Sequence, residues 1–267
     1  MLLKCPKCAE DLIESEHEFK CVNGHNYDKA REGYVNLMLA NQKHSKEPGD
    51  NVDSLLSRQR ILSKGVYQPL AEALSDSIAH YLASGSTFLD AGCGTGYYLH
   101  QIAQQNDLDY YAVDIAKKGV AMCAKSNPFA TCFVGSVFHL PLGDECLDGL
   151  MSVFCPYSGE EFNRIVKKGG YVWAVTPGKE HLYEIKELVY EEPYFNEEKE
   201  YQLPGFEQLE KNKVTYKLTL SNEDLLSLWR MTPYYHTTAA SGNEKLEHID
   251  NIEVTVDFVV MVYQKNE

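Results

Sequence analysis

TFLDAGCGTGYYLHQIA, residues 87–103, joins a short apolar run to a helical one through Gly92, Gly94 and Gly96. The run ends in Asp90, and glycines at every second position let the chain turn tightly while a ligand approaches main-chain N–H groups. The spacing Gly-x-Gly-x-Gly differs from the G-x-G-x-x-G of dinucleotide binders. The next apolar run, DYYAVDIA (109–116), carries Asp114, an acid placed to accept hydrogen bonds from two ribose hydroxyls.

Outward from this loop, STFLDAG (86–92), DYYAVDIA, ATCFVG (130–135), LDGLMSVF (147–154) and GYVWAVTP (170–177) read as strands. Helical stretches begin between them near Tyr97, Lys117 and Glu160. Repeated strand–helix–strand order predicts an α/β fold, a Rossmann-like and mostly parallel sheet with helices on both faces. Its strand order reverses beside the first strand, where open α/β sheets bind ligands. KVTYKLTLS (213–221) and IEVTVDFVVMVYQK (252–265) alternate as a C-terminal antiparallel pair, with SNEDLLSLWRM between them as a helix. Further helices are expected over His181–Tyr190 and, broken near Gly65, over Val52–Tyr81. Asp-x-Gly-x-Gly-x-Gly with a second acid one strand later looks like the first two motifs of class I S-adenosylmethionine-dependent methyltransferases.

Upstream lies CPKCAEDLIESEHEFKCVNGH, residues 5–25. Cys5-x-x-Cys8 and Cys21-x-x-x-His25 offer three thiolates and one imidazole, the four ligands of a structural tetrahedral Zn²⁺ site. The segment is too small to build a core alone and needs such a staple. The expected organisation is a zinc-binding module (1–36), a connector with a helical segment (37–70) and the methyltransferase domain (71–267). Cys93, Cys123, Cys132, Cys146 and Cys155 lack pair spacing and suit apolar packing.

No apolar run approaches the ~20 residues that span a bilayer, so no membrane partner is expected. With no secretory signal at the N-terminus, a cytoplasmic location is expected. The net charge of −14 is uneven: from Glu180 onward there are 18 acids against eight Lys or Arg. Residues 1–46 carry seven of each sign. A polyanion would therefore avoid the C-terminal third. Tyr27, Lys29, Arg31, Lys43, His44 and Lys46 follow the knuckle, a mixture able to stack on unpaired bases and meet phosphates.

Over nearly its whole length the chain resembles the bacterial large-subunit ribosomal RNA (guanine-N1)-methyltransferases. The motifs are Cys5/Cys8/Cys21/His25, EGYVNL (32–37), PGD (48–50), GVYQPL (65–70), LDAGCGTGYY (89–98) and IVKKGGYVWAVTPGKEHLYEIKEL (165–188). The resemblance implies methyl transfer from S-adenosylmethionine to N1 of a guanosine in a ribosomal RNA stem-loop, with the zinc module helping to recognise the RNA. It implies that Tyr67, Thr95, Gly96 and His181 contact the cofactor, beside Asp90, Gly92, Gly94 and Asp114. The end of the third strand, Ser136 and Val137, would line the adenine. Arg58 and Arg60 are candidates for phosphate contact, and Cys155, Pro156 and Tyr157 for the target pocket. The chain departs from the family in having Thr95 where an acid is common, Arg58-Gln59 in place of paired arginines, and FCPY in place of an Ala-Pro strand end. No general base is identifiable, and a homodimer is compatible with the resemblance. The competing reading is a small-molecule methyltransferase whose zinc module is purely structural.

Overall fold

A computed structural model describes residues 2–42 and 48–267. The first strands are short: β1 (Ile13–Glu14), β2 (Glu18–Lys20) and β3 (Asn26–Asp28) form an antiparallel three-stranded sheet. β4 (Val35–Asn36) leaves that sheet, and α1 (Val52–Ser63) and α2 (Gln68–Tyr81) follow. The alternating body comprises β5 (Thr87–Ala91), α3 (Tyr97–Ala103), β6 (Asp109–Asp114), α4 (Lys117–Ser126) and β7 (Thr131–Val134). It continues with β8 (Leu147–Val153), α5 (Gly159–Ile165), β9 (Val166–Pro177) and α6 (Tyr183–Val189). The chain closes with β10 (Phe206–Ser221), α7 (Asn222–Arg230), α8 (Pro233–Thr237), α9 (Ala240–Leu246) and β11 (Asn251–Lys265).

The large sheet has the order β10-β11-β9-β8-β5-β6-β7-β4, with β11 antiparallel to both its neighbours. The order reverses at β5, where the chain steps from β7 back to β8, so the glycine loop sits at the reversal as expected. Strand alternation sends successive residues to opposite faces. Phe88, Ala112, Cys132 and Val260 enter one core with α2, α3, α4, α6 and α7; Leu89, Val113, Phe133 and Met261 enter the other.

That second core spans the expected domain boundary. The link from β7 to β8, residues 135–146, contains no helix. The face it leaves is covered instead by Leu3, Leu12, Phe19 and Val35 of the N-terminal module, together with α5 and the Tyr201–Leu203 segment. Leu12 is fully buried and Leu3 nearly so, and β4 pairs in parallel with β7 through Val35 and Phe133. The expected boundary after residue 36 thus leaves β4, a strand of the large sheet, on the module's side. The physical reason is area: a segment of this size cannot bury its own apolar side chains, so it shares the core of its neighbour.

Candidate active site and metal centre

The glycine loop turns at the C-terminal end of β5. Gly92 has φ +87°, in the left-handed region, and a Cβ there would run into Cys155 Sγ. Gly96 has φ +79°, and a Cβ would lie 2.5 Å from Asn127 Nδ2 and 2.6 Å from Cys123 Sγ. Here the absent side chain lets α4 pack against the loop. Asp114, ending β6, accepts from Gly94 N (2.8 Å) and Ala116 N (2.7 Å) through separate oxygens. A carboxylate has about four acceptor sites, so lone pairs remain for a diol. Burial raises the Asp114 carboxyl pKa, opposed by the two main-chain N–H donors. Asp90 is buried at the end of the neighbouring strand, its pKa pushed well up by burial and then by Cys123 and Asp114. Thr95, Ser136 and Val137 are all buried beside these groups, with the Ser136 hydroxyl accepting from Phe138 N at 3.3 Å.

An aromatic wall stands beside the loop. The Tyr67 hydroxyl lies 3.4 Å from His181 Nε2, and both rings meet Phe258 at centroid distances of 4.8 Å. The structure thus brings together two residues that local sequence reading alone would assign to helix packing and to the surface. His181 Nδ1 accepts from Asp257 N at 3.3 Å, which leaves the proton of the neutral ring on Nε2, facing Tyr67. Burial, helped by the charge of Lys186, lowers the His181 pKa to about 3. The ring is a neutral donor toward Tyr67 and no general base. The Tyr98 hydroxyl, near Tyr67 and Arg58, is buried without a hydrogen-bond partner among the described residues. One buried and one partly buried carboxylate, a side-chain-free turn and this orphaned hydroxyl suit a cofactor carrying a ribose diol and an amino-acid tail.

Several expected contacts are placed elsewhere. Tyr157 stacks on Tyr201 (3.8 Å, 14°) and its hydroxyl accepts from Gln202 N, so one face of its ring is taken up by packing. Cys155 is held against Gly92, and burial raises its pKa, which leaves it a protonated packing group. Phe154, which the sequence reading did not single out, joins Phe258 at 5.3 Å. Arg58 pairs with Asp50 at 2.6 Å and its Nη1 borders Gly94, placing it at the cofactor loop. Arg60, still partly exposed, pairs with Glu223 and Asp224 of α7. Their i, i+2 spacing puts them on different sides of α1, a separation the sequence permits but does not rank.

In the N-terminal module, Sγ of Cys5, Cys8 and Cys21 each lies 3.4 Å from His25 Nδ1, and Cys8 and Cys21 are 3.7 Å apart. All four donor atoms fall within 4.8 Å of one another. A tetrahedron with Zn–S of about 2.3 Å and Zn–N of about 2.05 Å requires edges of about 3.8 Å (S–S) and about 3.6 Å (S–N). The donor set fits zinc. Burial opposes ionisation of Cys5, but the Tyr27 hydroxyl and main-chain N–H groups of Lys7 and Cys8 outweigh it and bring the thiol to about 6. Tyr27, expected to stack on bases, thus turns its hydroxyl to Cys5 Sγ at 3.2 Å. Lys29 pairs with Glu14 at 2.6 Å and lies over the Phe19 ring. Both buttress the knuckle, because its few apolar groups leave it dependent on such contacts. Arg31 remains exposed, while Lys43, His44 and Lys46 lie outside the described residues.

Residues 3–46 match the family model described as RlmA, N-terminal, and residues 89–174 match that described as Methyltransferase domain. A Streptomyces fradiae protein, 23S rRNA (guanine(748)-N(1))-methyltransferase, is 34% identical over 187 residues, covering 68% of this chain and 66% of its own length. A Micromonospora griseorubida protein, provisionally named a 23S rRNA (guanine-N(1)-)-methyltransferase, is 29% identical over 263 residues, covering 89% of this chain and 88% of its own. The similarly provisional YxjB of Bacillus subtilis (strain 168) is 25% identical over 287 residues, covering 99% and 97%. With a donor set built for zinc in its N-terminal module and a cradle at the reversal of a class I sheet, the chain belongs to the RlmA-like family of S-adenosylmethionine-dependent rRNA methyltransferases.

Proposed function

We propose that this protein transfers a methyl group from S-adenosylmethionine to N1 of a guanosine in large-subunit ribosomal RNA. The observation that carries the reading is the juxtaposition of the Asp90/Gly92–Gly96/Asp114 cradle with the Tyr67–His181–Phe258–Phe154 wall at one end of the sheet. Asp114 would hold the ribose, Gly92, Gly94, Thr95 and Gly96 would admit the amino-acid tail, and Ser136 and Val137 would border the adenine. When bound, S-adenosylmethionine supplies an electrophilic methyl group on a sulfonium.

The chain's own task is alignment and exclusion of water, since in-line displacement needs a near-attack geometry. The Nε2–H of His181 donates to the Tyr67 hydroxyl and fixes that ring against Phe258. Tyr67 and Phe258 are buried, so the wall they form is dry. A guanine paired in a stem must leave the stack to meet this wall.

The zinc module, in this reading, adds part of the RNA surface. Support comes from exposed Lys7, Lys20 and Arg31, and from a cleft of about 780 Å³ at its junction with the sheet, lined in part by Lys4, Lys7, His139 and Arg164. The test uses the whole zinc-loaded chain, labelled cofactor and unmodified large-subunit RNA. Label should enter the RNA, and reverse transcription should stop at one guanosine, as a methyl on the base-pairing edge demands. Absence of label from RNA incubated with protein that binds cofactor overturns the proposal.

A further inference from the structure

The last residue before Cys155 combines two features that a folding argument disfavours. Phe154 has φ +54°, a left-handed conformation that strains any residue with a Cβ. It also leaves a large apolar ring 43% exposed. Val153, one residue earlier, is buried and regular within β8, and Phe154 N still donates to Val175 O at 3.1 Å. The strain therefore begins at Phe154, where the chain leaves the strand. Its effect is to hold the ring out of the second core and beside Phe258, which itself touches Tyr67 and His181. On the other side Cys155 presses on Gly92 of the cradle. Tyr157, the other aromatic of this strand end, is committed to Tyr201.

We propose that Phe154 is the platform on which the unstacked target base lies, an inference that rests on the RNA reading above. A flipped base needs an aromatic face to replace the stacking it gives up. Among the described aromatic residues of the wall, Tyr67 and Phe258 are buried, and Phe154 offers an exposed face. Backbone strain at this position keeps the ring presented in the absence of RNA, so the ring's ordering does not have to occur during binding.

The test compares initial rates of methylation of unmodified large-subunit RNA, over a range of RNA concentrations, with cofactor affinity from calorimetry. Phe154→Ala should lower kcat/KM for RNA by roughly 5- to 150-fold, the worth of one stacked base, with cofactor affinity unchanged. Phe154→Tyr and Phe154→Trp should stay within a few-fold of wild type, whereas Phe154→Leu, apolar but without a π-face, should behave as the alanine variant does. Phe154→Gly suits the left-handed backbone, so it should retain its thermal midpoint and still lose the RNA rate, which separates stacking from folding. An active wild type with an equally active Phe154→Leu overturns the platform alone. A wild type that binds cofactor and methylates no RNA overturns the RNA reading and the platform with it.

Discussion

His181 is a residue whose chemistry depends wholly on what surrounds it. In the unfolded chain its pKa is ordinary, about 6.5; in the fold burial lowers it to about 3. Between those values the unfolded chain takes up a proton that the folded chain refuses. Stability therefore falls as pH drops from about 6.5 toward about 3, by at most about 1.4 kcal/mol per pH unit, and above this window the group contributes no slope. His181→Gln should remove that component. Urea unfolding of both proteins at several values between pH 7.5 and pH 4 should show the wild type losing its advantage as pH falls; a constant difference would mean that the ring takes up its proton as readily in the fold as in the unfolded chain. Nothing local to EHLYE announces this role. The Nδ1 acceptor is satisfied by Asp257, 76 residues away, and only strand pairing brings that N–H to the ring.

At the scale of elements, the end of β8 is held from outside its own strand. The Tyr201 hydroxyl is 3.1 Å from Ser152 Oγ and donates to Cys155 O at 3.0 Å, while its ring stacks on Tyr157. The acidic stretch around it reads in sequence as solvated surface, yet Tyr201 and Leu203 are buried and Tyr183 stacks on Phe195. Tyr201→Phe keeps the stack and strands buried polar partners, which should cost about 1–3 kcal/mol. Tyr201→Ala should cost more, about 3–5 kcal/mol by analogy with other large aromatic truncations. Denaturant midpoints at unchanged m-value check both. A Tyr201→Phe variant as stable as wild type would show that water replaces the phenol. The strands themselves were legible from alternation, and β5 to β9 fall where the apolar runs place them. β4 was not, because two residues carry no periodicity.

Across the whole molecule, the zinc knuckle and the methyltransferase sheet share one core. Leu3, Leu12 and Phe19 pack with Phe133, Leu140 and Leu142 on the face left open by the helix-free crossover. Removing zinc should therefore unfold more than the knuckle. Cys21→Ser, or chelation of the wild type, should lower the thermal midpoint of the entire chain in one transition and weaken cofactor binding along with RNA methylation. Calorimetry with and without chelator decides it: two transitions, with the cofactor-linked one unmoved, would establish independent modules. Legibility follows the range of the physics involved. Cys5, Cys8, Cys21 and His25, the glycine loop and Asp114 are local patterns, where residue type and spacing alone impose the chemistry, and the sequence by itself determined them together with the parallel sheet. Tertiary structure alone decided which apolar face the module covers, that Arg58 and Arg60 answer acids within the chain, and that Phe154 rather than Tyr157 stays exposed. Those outcomes depend on contacts between segments far apart in sequence, and no local period or spacing records them.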